Sequence, residues 1–489
     1  MGDIIFKAKR IQENANDVTW IAHDGNTSLG AKGLVCKNGD QGEQLLRGAP
    51  PAREQQQSKV LKKFLVHFRR PDDYEGAYGF DWLREEYIFP LVTVTHDNNG
   101  AVIPGSMHPL CKDVPKLKQE YLRDVKNPIA PYGVRYYPAW LSLFPHTTTQ
   151  QFPHGSTMHK NGVSLDLQFD ELEPMIDDGT EIILESCHEG IEVTPSKFSV
   201  AEVIASGKKR RLINPNYVNY YTLKKKVNIK CTKPLGAHEE IKVYAKLEGR
   251  KEEVGKLMIY KNNVIPKAEI VVVNVITSPT QKGALRNDYQ HLFKNQSFNQ
   301  ALIRAEVKVD TEFDLTALTG HADANNFLIA TQNPNTTYAQ IRDGFRDLYD
   351  KYGKYKATGG IDGNINKRTY LFFTTLSAGN TLGVCSLANN VWGNMYVVFH
   401  SGLLHDHTIV HECGHSLSLP HVFQEGSLAK HTFYHGYTDN YMDYTWMAGI
   451  YRNGQLYSSG PNKYNGKMYA FYKWQWDIMR GDRSLIFNY

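Results

Sequence analysis

The sequence predicts a multidomain chain, with mainly β, sandwich-like modules first and a C-terminal α/β domain with a mixed sheet after them. Three observations predict this. Between residues 161 and 265, apolar and polar residues alternate in short runs, as in Val163, Leu165, Leu167 and Phe169 or Ile241, Val243, Ala245 and Leu247. Such runs, spaced by turn residues at intervals of about ten, read as half-buried strands of a β-sandwich. After Pro266 the pattern changes to EIVVVNVIT, residues 269–277, a continuous apolar run of the kind buried on both faces. From there strands alternate with helical periodicities, which argues for a mixed α/β sheet.

A length of 489 residues allows about three domains. Residues 1–55 are rich in Gly, Gln and Asn and read as an arm or small β unit, closed by the linker-like RGAPPAR. Residues 56–160 carry apolar runs broken by proline and Gly-Asn turns and read as a β-rich irregular domain. Residues 161–265 form the sandwich-like domain, and residues 266–489 the α/β domain. In this last part Leu285, Tyr289, Leu292 and Phe293 share a helical face, and residues 301–309 read as a strand. Tyr338, Ile341, Phe345, Leu348, Tyr349 and Tyr352 line one side of a helix over residues 337–352, with Gly353 at its end. Residues 370–375 and 396–400 read as two further strands.

Composition excludes several classes. Hydrophobic residues make up 41% and charged residues 22%, as in an ordinary globular protein. A net charge of +5 is nearly balanced for this length and argues against nucleic-acid binding. The basic runs at residues 208–211 and 224–226 read as solvated strand edges or loop tips. The six cysteines form no CxxC pair, so a zinc ribbon or thioredoxin-like site is not expected. No apolar leader core stands at the N-terminus, and no run reaches the ~18 apolar residues of a membrane span. The expectation is a chain that stays cytosolic, leaves the cell without a recognisable signal peptide, or is a mature form.

The chemistry concentrates in HTIVHECGHSLSLPH, residues 407–421. His411 and His415 are four residues apart, so on a helix both imidazoles point the same way. One metal ion can then meet both at ~2.0–2.1 Å. Glu412 is displaced by about 100° and cannot share that direction; it can stand beside the metal as a general base. A catalytic zinc site needs a third protein ligand and an open position. His421 is the candidate, provided the helix stops soon after His415 and the chain turns sharply, a stop that Pro420 favours.

HECGHSLSLPH resembles the metzincin zinc signature, HExxHxxGxxH, at His411, Glu412, His415 and His421. It departs at Ser418, where the family has a glycine that turns the backbone at positive φ. Serine there costs roughly 1–2 kcal/mol if the turn is kept. The family's methionine turn has a counterpart in DNYMDY, residues 439–444, with Met442 lying 21 residues after His421. Astacin-like and serralysin-like branches carry a tyrosine two positions after that methionine, the place of Tyr444. The resemblance implies that Tyr444 approaches the zinc or donates to the oxyanion. GVCSL, residues 383–387, resembles the segment near the edge strand against which such enzymes lay an extended substrate. Residues 464–480, with Met468, Phe471, Tyr472 and Met479 near one face, read as the closing helix.

The implied function is that of a Zn²⁺-dependent metallopeptidase, with His411, His415 and His421 as ligands, Glu412 as general base and a protein or peptide as substrate. Two alternatives stand: a peptidase of cell-wall peptides, and an inactive metzincin-like binding protein. LVHFRR, residues 65–70, and GFDWLR, residues 79–84, resemble N-terminal regions of effectors exported by bacterial contractile (type VI) secretion systems. That implies a toxin-like cargo, with a secretion apparatus and an immunity or inhibitor protein as partners. Blander roles are expected nearby. His407 reads as a first-turn polar residue with Asp406 as helix cap, His405, His431 and His435 as surface or loop residues, and Cys413 as a small core residue.

Overall fold

Alternating side chains of two β-sheets build the first core. Val163, Leu165, Leu167 and Phe169 are all buried there, together with Ile182, Leu184, Ile241, Val243 and Ala245 from the facing sheet. The computed structural model describes residues 35–39, 42–46, 60–146, 156–213, 216–280, 288–388, 391–426, 429–445, 449–452, 455–459 and 462–489. The chain divides into two compact units, Met1–Lys59 and Val60–Tyr489. The described part of the first is an antiparallel hairpin, Val35–Gly39 with Gly42–Leu46.

In the second unit, one sheet runs in the order Ile191–Thr194, Asn216–Cys231, Val163–Glu171, Phe64–Arg69, with Lys209–Ile213 also on Asn216–Cys231. The other runs Lys197–Ser199, Glu181–Ser186, Glu239–Leu247, Arg250–Ile259, Ala139–Ser142, Gly79–Asp81. Both sheets draw strands from residues 60–146 and from residues 163–259. Where they meet, Gly255 passes the Val66 carbonyl so closely that a Cβ would lie 2.3 Å from that oxygen. Of the basic runs expected at solvated edges, Arg211 departs: it is half-buried and bonds Glu85 and Asp170. Cys111, Cys187, Cys231, Cys385 and Cys413 are free thiols.

The C-terminal part carries a five-stranded sheet in the order Arg304–Asp310, Lys267–Val275, Arg368–Thr374, Val391–Val398, Gly383–Ala388. The first four strands are parallel and the last is antiparallel. The apolar run after Pro266 is continuous because both its faces are covered. Val271 and Val273 face the helix Tyr338–Tyr352, through Phe345, Leu348 and Tyr349. Ile270 and Val272 lie in the opposite core with Ile409, Val410 and Cys413 of the helix Asp406–Ser416. Thr337 starts the helix Tyr338–Tyr352 by a reciprocal capping box with Gln340.

Two expected helices differ. Residue 285 lies outside the described residues, and the helix of that region is Tyr289–Asn295. The closing helix is only Lys473–Arg480, not residues 464–480. The backbone before it is committed elsewhere: Ala470 bonds Asp439 and Tyr441, and the Phe471 N–H donates to the Gln300 side chain. Among the described residues, no helix is long and apolar enough to cross a membrane.

Phe345 is fully buried and packs its ring against Phe327 and Phe372. Phe345→Ala is expected to lower stability by about 3–5 kcal/mol in urea unfolding. A loss below ~1 kcal/mol would contradict this packing of helix on sheet.

Candidate metal centre

The helix Asp406–Ser416 lies against the sheet through Ile409, Val410 and Cys413 and turns His411 toward a cleft, with His415 one turn further along. His405 is its N-cap, without a side-chain bond, and Asp406 stands inside the first turn rather than at the cap. There its charge favours the helix N-terminus.

The helix ends by a Schellman arrangement. Ser418 N–H donates to the His415 carbonyl at 2.9 Å, and Leu419 N–H to the Gly414 carbonyl at 3.1 Å. Ser418 takes the left-handed conformation this needs, with φ of 66°. Its hydroxyl donates to the buried Asp482 carboxylate at 2.5 Å, a bond that glycine could not make. The chain thus doubles back, and His421 returns to the two helical histidines.

The metal-binding atoms of His411, His415 and His421 all lie within 4.8 Å of one another. The Nε2 atoms of His415 and His421 are 3.3 Å apart. Two nitrogens on a tetrahedral zinc at ~2.0–2.1 Å would stand ~3.3–3.4 Å apart, so this pair already has the spacing. His411 Nδ1–H donates to the Tyr441 carbonyl and His415 Nδ1–H to the Leu419 carbonyl, each at 2.7 Å. A carbonyl can only accept, so both rings carry their proton on Nδ1 and present a lone pair at Nε2. Burial pushes the His411 pKa down to about 4 and the His415 pKa well below its ordinary value. His421 is also lowered, by burial and then by the neighbouring imidazoles. Three neutral imidazoles with converging nitrogens, two of them with the lone pair fixed at Nε2, fit a zinc ion.

Glu412 is buried at the wall of the same cleft, which has a volume of about 240 Å³ and is lined also by Leu382, Gly383, His407 and Tyr444. Burial alone pushes its carboxyl up to about 8. Gly383 begins the edge strand Gly383–Ala388 and passes directly against it. A Cβ there would lie 2.7 Å from Glu412 Cγ. Tyr444 is half-buried, its ring centroid 5.6 Å from that of His411 and 5.2 Å from that of His421. Burial, then the nearby Glu412, pushes its phenol up to about 12.

Met442 lies under the helix. Its sulfur would be 2.5 Å from a Cβ at Gly414, so the glycine allows the approach. The turn that carries Met442 closes by Asp443 N–H to Asn440 O at 3.1 Å. The Asp443 carboxylate accepts from the backbone N–H groups of Gly436, Thr438 and Tyr444.

Several neighbours were not expected from the sequence. His431 and His435 are buried rather than superficial. The His435 ring stacks on Phe423 at 3.7 Å, and Phe423 stacks on His421 at 4.7 Å, so an aromatic column backs the third histidine. No motif marks Phe423 or His435, and only their closeness to His421 in sequence hints at a role. His407 is half-buried and its Nε2–H donates to the Asp443 carbonyl at 2.9 Å. Cys413 is a buried core residue.

No protein-family model matches the chain, and no curated protein does either. The cluster of His411 and His415 on this helix with His421 beyond its end is compatible with metal coordination and, in general terms, with a metal-dependent hydrolase.

Ser418→Ala keeps the Cβ at positive φ and loses the Asp482 bond, so it is expected to destabilise by about 1–3 kcal/mol. Ser418→Gly loses the same bond but relieves the left-handed strain, and should be about 1 kcal/mol less harmful. Urea unfolding of the two variants checks the order; alanine equal to or milder than glycine contradicts it.

Proposed function

We propose that this chain is a zinc metallopeptidase of metzincin type, with His411, His415 and His421 as the ligands and an extended peptide as substrate. The observation that carries the reading is the convergence of three neutral imidazoles, one of which, His411, shares a cleft with the buried Glu412 carboxyl. Zinc bound there would supply Lewis-acid chemistry, polarising a carbonyl and lowering the pKa of a water toward ~7.

The chain's own residues divide the remaining work. Glu412 is the proton carrier. Beside a bound dication its ionised form is favoured, so it takes a proton from the attacking water and passes it to the leaving nitrogen. Tyr444, protonated at neutral pH, donates to the developing oxyanion. Among the described residues, the strand Gly383–Ala388 pairs in its sheet with Val391–Val398 alone, and an extended peptide would add along its other edge. Gly383 leaves room for the Glu412 carboxyl where that strand begins. The left-handed Ser418 supports an active site rather than a lost one, because the departure from the family glycine keeps the required turn.

The test is cleavage of casein or a peptide library by the intact chain and by Glu412→Ala. One zinc per chain is expected in both. Turnover should fall by about 10²–10⁴-fold in the variant. Cleavage that survives Glu412→Ala unchanged would sink the assignment. Tyr444→Phe should lower kcat by up to about 10²–10³-fold with zinc retained, and an unchanged kcat would remove Tyr444 from the mechanism.

A further inference from the structure

We infer that Arg84, supplied by the N-terminal β-rich part of the chain, is a positioning residue for the histidine centre. It acts by clamping Asp439 at the head of the turn that carries Met442. The inference rests on the reading that the three histidines hold a metal.

Arg84 Nη2 donates to Asp439 Oδ2 at 2.9 Å, with the two side chains only 4% and 1% exposed. Arg70 pairs with the same carboxylate oxygen. The Arg84 guanidinium also lies over the rings of Trp82 and Tyr87, at 4.0 and 5.0 Å from their centroids. A planar guanidinium held by rings and a carboxylate has little freedom.

The clamp reaches the histidines along a short path. Asp439 and Tyr441 are both bonded to Ala470, so the backbone between them is fixed at each end. The Tyr441 carbonyl accepts the Nδ1–H of His411 at 2.7 Å and sets that ring's orientation. The next residue is Met442, packed against Gly414 one position before His415. Asn440, between the two anchor points, exchanges hydrogen bonds with Gln475 at 2.6 and 3.1 Å. Two arginines from residues 70–84 therefore hold one end of the segment that orients the first ligand.

A consequence concerns the N-terminal part itself. Leu83, Tyr87, Val94, Leu110 and Trp140 share one core with Ile409, Tyr441, Met442 and Trp474. Residues 83–87 are therefore part of the same folded core as the helix and the turn that carry the centre.

The experiment uses the full chain loaded with cobalt(II). Metal affinity comes from chelator competition, ligand geometry from the visible absorption of the cobalt, and kcat and KM from peptide cleavage. Arg84→Met is expected to weaken metal binding about 10-fold, to shift the cobalt spectrum, and to lower kcat with KM unchanged. Arg84→Lys keeps the charge without the planar fork and should fall between this variant and the intact chain. If Arg84→Met does not fold, Arg84→Lys decides the test by the same readouts. Affinity and spectrum equal to those of the intact chain in the folded variant overturn the inference. A shifted spectrum in a chain that cleaves no peptide leaves the inference standing and removes the peptidase reading.

Discussion

Three imidazoles can meet at one point only if the helix that carries two of them ends within a turn of the second. Most of the site follows from that constraint. Ser418 accepts the left-handed conformation, and the bond from its hydroxyl to Asp482 offsets the strain of a Cβ at positive φ. The reversed chain then serves twice. The Leu419 carbonyl orients His415, and two residues later His421 arrives as the third ring. Gly414 lies within the same last turn and lets the Met442 sulfur approach from below. Termination of the helix and assembly of the centre are one event.

The surrounding layers supply rigidity. The helix Asp406–Ser416 covers one face of the five-stranded sheet, and its buried residues continue into a core shared with residues 83–140. A ligand set held only by its own helix would keep rotational freedom. Here the Tyr441 and Leu419 carbonyls fix two rings, and the Phe423–His435 column backs the third. Such outer partners set ring orientation and ligand basicity. The clamp on Asp439 extends this support into the N-terminal half, where the electrostatic cost of leaving a buried carboxylate unpaired ties the two halves together.

The sequence was most legible where a local period dictates the outcome. The four-residue spacing of His411 and His415 marked the helix and the side on which the two rings meet His421. The amphipathic pattern of Tyr338–Tyr352 and the apolar run of Lys267–Val275 likewise announced their elements. Long-range pairing left no such trace. Phe64–Arg69 finds its neighbour in Val163–Glu171, about a hundred residues on, and Arg84 meets Asp439 at a separation of 355. The apolar periodicity of residues 464–472 pointed to a helix, yet bonds to Asp439, Tyr441 and Gln300 hold part of that backbone outside one. His435 carries no motif, because its place is set by packing on Phe423.

The central claim is that His411, His415 and His421 bind one metal ion together. X-ray absorption at the zinc edge of the zinc-loaded full chain, beside His421→Ala, tests it most directly. The account predicts one zinc per chain with three imidazole nitrogens at ~2.0–2.1 Å, and two in the variant. Two or fewer imidazoles in the intact chain, or a spectrum that His421→Ala leaves unaltered, would contradict it.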